Sequence, residues 1–130
     1  MKKLFVSALF LAGTYFAQAQ YSLTFCEDVN GEGRAQMSSN SFMVDQDGGV
    51  LKFLLKADDR FNTEGMEFRI FLLNDAGKEE EITRMPQKVD NTWNFAWKEV
   101  VFFDPGNYKV KVYTAKGTYL TSANLTIKHR

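Results

Sequence analysis

The chain has 130 residues, 16 basic against 16 acidic side chains, a single histidine and a single cysteine. That length suits one domain behind a leader, and an even charge lacks the basic excess that phosphate contacts demand, which excludes a nucleic-acid partner. One cysteine closes no intrachain disulfide, and one thiol with one imidazole falls short of the three or four ligands of a zinc site.

Residues 1–19 have the layout of an export signal: Lys2 and Lys3, an apolar run over 4–16, then small residues ending Ala17-Gln18-Ala19. The run is broken by Ser7, Gly13 and Thr14 and falls short of the roughly 20 apolar residues that cross a bilayer, so no membrane insertion is expected after cleavage. Residues 20–130 then form a single mature domain, secreted or periplasmic or held at the cell surface. A lipid anchor is not expected, because the first cysteine, Cys26, follows Leu23-Thr24-Phe25 and not small residues at a cleavage point. Both leader lysines leave on cleavage, so 14 basic groups remain against 16 acidic ones. Of the twelve Phe, five Tyr and two Trp in the chain, nine Phe, four Tyr and both Trp lie in residues 20–130 and supply large side chains for a core that must hold without a disulfide.

Cys26 opens a glycine-rich connection. Asp28-Val29-Asn30-Gly31-Glu32-Gly33 copies the opening oxygen spacing of a calcium loop, but Ser39 stands where its closing glutamate belongs. The stretch is therefore read as a plain connection, and no metal or cofactor is assigned. Residues 42–44 and 50–57 read as strands joined by a tight turn at Asp47-Gly48-Gly49. In the second of them Leu51, Phe53, Leu55 and Ala57 share one face, and Lys52 and Lys56 the other. Residues 67–73 follow, with Phe68, Ile70 and Leu72 on one side and Arg69, Phe71 and Leu73 on the other. Two partly apolar faces mark a central strand or an exposed patch. The turn 74–77 leads into a polar strand, 79–85, whose Glu79-Glu80-Glu81 guards a sheet edge; it stops at Pro86, which cannot donate to a ladder.

Over 91–103, Trp93, Phe95 and Trp97 alternate, and that spacing places both indoles in the core, with a sugar-stacking platform as the alternative. Residues 100–103 are all apolar and break the phase, which calls for a bulge or a change of sheet. After the turn Asp104-Pro105-Gly106-Asn107, the side chains of Tyr108, Val110, Val112 and Thr114 face inward against Lys109, Lys111 and Tyr113. Lys116-Gly117 reverses the chain into 119–128, where Ala123, Leu125 and Ile127 complete the core face of a terminal hairpin. Seven or eight short antiparallel strands make an all-β chain, packed as two sheets so that no greasy face stays wet.

The run Phe103-Asp104-Pro105-Gly106-Asn107-Tyr108-Lys109-Val110-Lys111-Val112 resembles the penultimate-strand signature of immunoglobulin-like bacterial sandwich domains. In that family an acidic residue, a glycine and a tyrosine precede alternating valines. The resemblance covers the final third of the mature chain and implies an immunoglobulin-like sandwich, with Gly106 and Tyr108 in structural places and the Tyr108 hydroxyl bonded back to nearby backbone. The single cysteine departs from antibody-type domains, which carry an inter-sheet disulfide. The family's strand positions imply that 67–73 and 108–114 are neighbours, so Arg69, Phe71, Leu73, Lys109, Lys111 and Tyr113 share an outer face. Cations beside aromatic and apolar groups suit an acidic glycan or a protein partner.

No familiar catalytic set is readable. Cys26 and His129 are the one available thiol and imidazole pair, with no orienting third group. Cys26 is read as an inert buried thiol, an intermolecular disulfide being the alternative, and His129 as a solvated tail residue. Carboxylates at Asp45 and Asp47, Asp58 and Asp59, and 79–81 belong to turns and an edge and do not flank a cleft. Asn124-Leu125-Thr126 is a glycosylation sequon inside a strand. The reading is a non-enzymatic exported binding or structural module of the bacterial envelope. The alternative is a small secreted inhibitor of an extracellular hydrolase, working through residues 58–65 or 26–41.

Overall fold

Period-two alternation builds most of the strands in residues 21–130, which are those that the structure, a computed structural model, describes; the expected leader lies outside them. β1 (Tyr21–Cys26), β5 (Gly49–Ala57) and β8 (Phe95–Phe102) form an antiparallel sheet in the order β1-β5-β8. A larger sheet contains β4 (Ser41–Val44), β6 (Gly65–Leu73), β7 (Glu79–Lys88), β9 (Gly106–Thr114) and β10 (Tyr119–His129). Its order is β4-β10-β9-β6-β7. β2 (Asp28–Val29) and β3 (Ala35–Gln36) pair as a small separate hairpin.

The two sheets close on one interior. β5 contributes Leu51, Phe53 and Leu55, β6 Phe68 and Ile70, β9 Tyr108, Val110 and Val112, and β10 Leu125 and Ile127, all of them buried. Aromatic rings tie the sheets together. Phe53 meets Phe25 at 5.1 Å, Phe68 at 5.9 Å and Phe102 at 6.1 Å between centroids, and Phe102 meets Tyr108 at 5.2 Å. Each buried large apolar side chain contributes about 1.5–3 kcal/mol on leaving water. Packing of this kind does what a disulfide does in smaller domains.

The alternation and the sheet count carry through in outline, and the differences have physical causes. Among the described residues there are ten strands, and one pairing is parallel: β4 runs alongside β10, with Ser41 opposite Thr126 and Val44 opposite His129. Residues 42–44 and 50–57 therefore belong to different sheets, and the glycine turn between them is a corner. Gly48 N donates to the Asp45 carbonyl at 2.9 Å, and a Cβ on Gly49 would lie 2.5 Å from Val44 Cγ1, so the corner closes only with glycine there. Pro86 does not end its strand, which continues to Lys88. β7 is the outer strand of its sheet, and the Pro86 carbonyl accepts the Lys98 ammonium at 3.1 Å, so the missing N–H lies on the open side.

β8 overturns a second expectation. Its register against β5 runs unbroken from Phe102 opposite Gly49 to Phe95 opposite Lys56, with no bulge or change of sheet. That register pairs Leu51 with Val100 and Leu55 with Ala96, so the even residues of β8 point inward. Trp97 and Val101 point out, and Trp93, in the preceding turn, also stays at the surface. The interior opposite Phe53 is already filled by Phe25, Phe68 and Phe102, which leaves space at the rim for Ala96 and none for an indole.

Candidate functional site

The register of the larger sheet brings the six residues read as a binding surface onto one face. Across β6 and β9, Arg69 lies opposite Lys111, Phe71 opposite Lys109, and Glu67 opposite Tyr113. Leu73 extends the same row of β6 side chains, opposite Asn107. β7 completes this face from the other side, with Arg84 opposite Arg69, Glu81 opposite Phe71 and Glu79 opposite Leu73.

Three cations, Arg84, Arg69 and Lys111, thus stand abreast across three strands. Like charges directly opposite are destabilising, and the side chains resolve the conflict by leaning in different directions. Arg69 turns to Glu67, at 2.6 Å, and lays its guanidinium 3.8 Å from the centre of the Tyr113 ring. Lys111 turns the other way, to Glu79 at 2.7 Å and over Phe71 at 4.6 Å. Arg84 pairs with Glu81, and Lys109 lies 3.9 Å from Glu79. The hydrogen bond from Lys111 holds the Glu79 carboxyl below the usual range for glutamate, and the same bond raises the Lys111 ammonium. Cation–aromatic contacts at such exposed sites are worth about 0.5–1 kcal/mol each. The result is a pre-ordered surface of alternating rings, cations and carboxylates.

The sequence reading did not include Glu67, Glu79, Glu81 and Arg84. β7 carries a bulge: Ile70 is opposite Thr83 and Phe71 opposite Glu81, so Ile82 has no partner. That single extra residue shifts the alternation, which puts Glu79, Glu81 and Arg84 on one face although their numbers differ in parity.

Tyr108 and Gly106 hold the end of this face. The Tyr108 hydroxyl donates to the Asp104 carbonyl at 2.8 Å, a bond back to backbone of the kind implied by the resemblance. Burial of the ring raises the phenol above its ordinary value, which keeps the hydroxyl a donor. Gly106 opens β9 beside Leu72, whose Cδ1 would lie 3.1 Å from a Cβ at that position.

The other motifs settle elsewhere. Cys26 and Leu54 are fully buried but lie outside the inter-sheet cluster: pairing of Cys26 with Lys52, and of Thr24 with Leu54, sets them on the outer side of the smaller sheet. The β2–β3 hairpin covers that side, with Gly33 against the Phe95 ring. The thiol donates to the Lys52 carbonyl at 3.6 Å, and burial raises it above the ordinary thiol value, away from the nucleophilic thiolate. His129 Nε2 contacts the Phe103 carbonyl at 2.7 Å, so thiol and imidazole serve different partners. In the loop with calcium-like spacing, Asp28 Oδ1 takes the Lys52 ammonium at 2.7 Å, and Asn30 Oδ1 accepts the amides of Glu32 and Arg34. Among the described residues no three His, Cys, Asp or Glu side chains gather as metal ligands. The loop 58–64 is fixed by Phe61, which is fully buried and donates its amide to the Trp93 carbonyl at 2.7 Å.

A second feature lies where the open edges of β7 and β8 face each other. Trp93 and Trp97 are 50% and 40% exposed and line a groove of about 540 Å³ with Gln87, Thr92, Asn94, Phe95 and Ala96. This corrects the core placement of both indoles.

No protein-family model matches the chain, and no curated protein matches it in sequence. Among solved structures it is similar to an immunoglobulin-like protein from Pseudomonas aeruginosa, at 10% identity and a TM-score of 0.51, over 86% of this chain and 99% of that one. A superoxide reductase (neelaredoxin) from Ignicoccus hospitalis matches at 10% identity and a TM-score of 0.45, over 99% of this chain and 100% of that one. An alkylpurine DNA glycosylase from Pseudomonas fluorescens matches at 14% identity and 0.40, over 82% of this chain and 30% of that one. The first of these, with the strand order above, makes the fold an immunoglobulin-like all-β sandwich.

Proposed function

We propose that the chain is an exported, non-catalytic binding module of the bacterial envelope that takes a protein partner on the β6–β9 face. The observation that carries this reading is the ordered row of Arg69 on Tyr113 and Lys111 on Phe71. Interface hot spots are enriched in arginine and tyrosine, and side chains already held in place lose less entropy on docking. Charge selects between the two partner classes named from the sequence. Four cations on this face, Arg69, Arg84, Lys109 and Lys111, stand among three carboxylates, Glu67, Glu79 and Glu81, and every cation has a carboxylate within 4 Å. Such a surface has little net attraction left for a polyanionic glycan. It suits a protein patch that is apolar at its centre and mildly acidic at its rim.

The leader supports export, and the thiol, imidazole and carboxylates engaged in structural contacts support a role without catalysis. The test is capture from envelope extract by immobilised mature chain. Wild-type protein retains a partner that the Phe71→Ala, Lys111→Ser double variant releases, with the fold of both verified by circular dichroism. Equal retention by the two proteins removes this face from the function.

A further inference from the structure

We propose that the groove between Trp93 and Trp97 is a second binding site, separate from the β6–β9 face, and that its ligand is an uncharged oligosaccharide. The two indoles are the only tryptophans in the chain, and both stand half out of water at the open edge of β8. Large apolar side chains left exposed together beside a concavity mark ligand sites. The volume, about 540 Å³, falls within the range of small-molecule pockets.

The Trp93 backbone and the Trp97 ring are each held in position. Asp90 Oδ1 accepts the Thr92 amide at 2.9 Å and the Thr92 hydroxyl at 2.7 Å, and Trp93 N donates to the Asp90 carbonyl at 3.0 Å, which fixes the turn that presents Trp93. The Trp93 carbonyl is in turn bound by the amide of buried Phe61. Trp97 is steadied on one face by the Lys52 ammonium, 4.5 Å from its ring centre, itself anchored on Asp28. An indole supplies a flat apolar face with one N–H at its edge.

The lining decides the ligand. Its polar side chains are Gln87, Thr92 and Asn94, which donate and accept hydrogen bonds without charge, and no charged residue lines the groove. A pyranose ring matches this arrangement, with its C–H face on an indole and its hydroxyls on the amides. Within this groove a charged ligand has no side chain to pair with. An extended peptide adding to the β8 edge is the competing macromolecule, but the Lys98 bond to Pro86 crosses between the two edges just beyond Trp97. The groove is therefore a short bay, and a strand-length trough is interrupted there. On the far side of Trp93 a second depression of about 340 Å³ continues past Glu64, Lys88, Val89 and Asp90, which allows a chain of several sugar units to pass over the indole.

The test titrates the full mature chain with cello-, manno-, malto- and xylohexaose and with hexagalacturonate, reading tryptophan emission and heat. At least one uncharged hexasaccharide shifts the emission, and Trp97→Ala and Trp93→Ala each weaken it by about 10-fold or more, or 1.4 kcal/mol. Trp97→Tyr retains most of the binding, and the Phe71→Ala, Lys111→Ser variant binds sugar like wild type, so failure of the protein-binding reading and failure of this one are told apart. No response to any uncharged hexasaccharide at about 10 mM, well above a 1 mM dissociation constant, overturns the proposal. So does binding of hexagalacturonate alone, binding unchanged by loss of either indole, or quenching by a β-strand peptide with none by sugar.

Discussion

Replacing Trp97 and Phe102 in turn with alanine asks which side of β8 faces the interior. Phe102 is buried to 6% exposure between Phe53 and Tyr108, so its truncation removes a ring from a packed cluster and costs about 3–5 kcal/mol. That is a large share of the roughly 5–15 kcal/mol that holds a domain folded. Trp97 is 40% exposed and touches the Lys52 ammonium. Its loss forfeits that contact, about 0.5–1 kcal/mol, and a partial apolar burial, for a total of about 1–1.5 kcal/mol. With a urea slope of about 2 kcal/mol per molar, the Phe102→Ala midpoint falls by roughly 2 M and the Trp97→Ala midpoint by roughly 0.5–0.75 M. Far-ultraviolet circular dichroism measures both without relying on indole emission. A Trp97→Ala protein destabilised as much as Phe102→Ala would place the indole inside and reverse the parity of the strand.

Tyr108→Phe keeps the ring against Phe102 and removes only the donor to the Asp104 carbonyl; about 1 kcal/mol of stability is lost, about 4 °C in melting temperature for a domain of this size, and an unchanged melting curve refutes a role for the hydroxyl. Glu79, held below its ordinary value of 4.5 by the bond from Lys111, adds stability that is fully present above 4.5 and disappears as pH falls through its lower folded value. By carbon-detected NMR its side chain titrates with a midpoint below 4.5, which returns toward 4.5 in Lys111→Ser; an unshifted wild-type midpoint contradicts the pairing.

The alternation of Leu51, Phe53 and Leu55, of Phe68 and Ile70, and of Val110 and Val112 identified the interior directly, because a strand has one dry face and its period is two. The outer face was legible for the same reason once 67–73 and 108–114 were taken as neighbours. Its acidic half was not, because the bulge at Ile82 moves Arg84 and Glu79 onto a common side, and a strand as polar as 79–88 has no clear alternation for an inserted residue to break. β8 misled for a different reason. Trp93, Phe95 and Trp97 alternate as convincingly as Ala96, Val100 and Phe102, and only the register against β5, with rings already filling the space opposite Phe53, chooses between them. β1 was not identified as a strand, and the β2–β3 hairpin fell in a stretch read as a plain connection. Their apolar residues Phe25 and Cys26 face opposite sides of one sheet, and no single alternation describes them.

The parallel ladder between β4 and β10 has a consequence for how the chain reaches this state. Residues 41–44 find their partner only at 126–129, so the larger sheet lacks one of its edges until the last strand is in place. Pairings this distant along the chain pay loop-closure entropy before they return any contact, which slows folding. A chain emerging from a ribosome must therefore wait for β10 before β4 has a partner, and until then that edge stays open to proteases and holding chaperones.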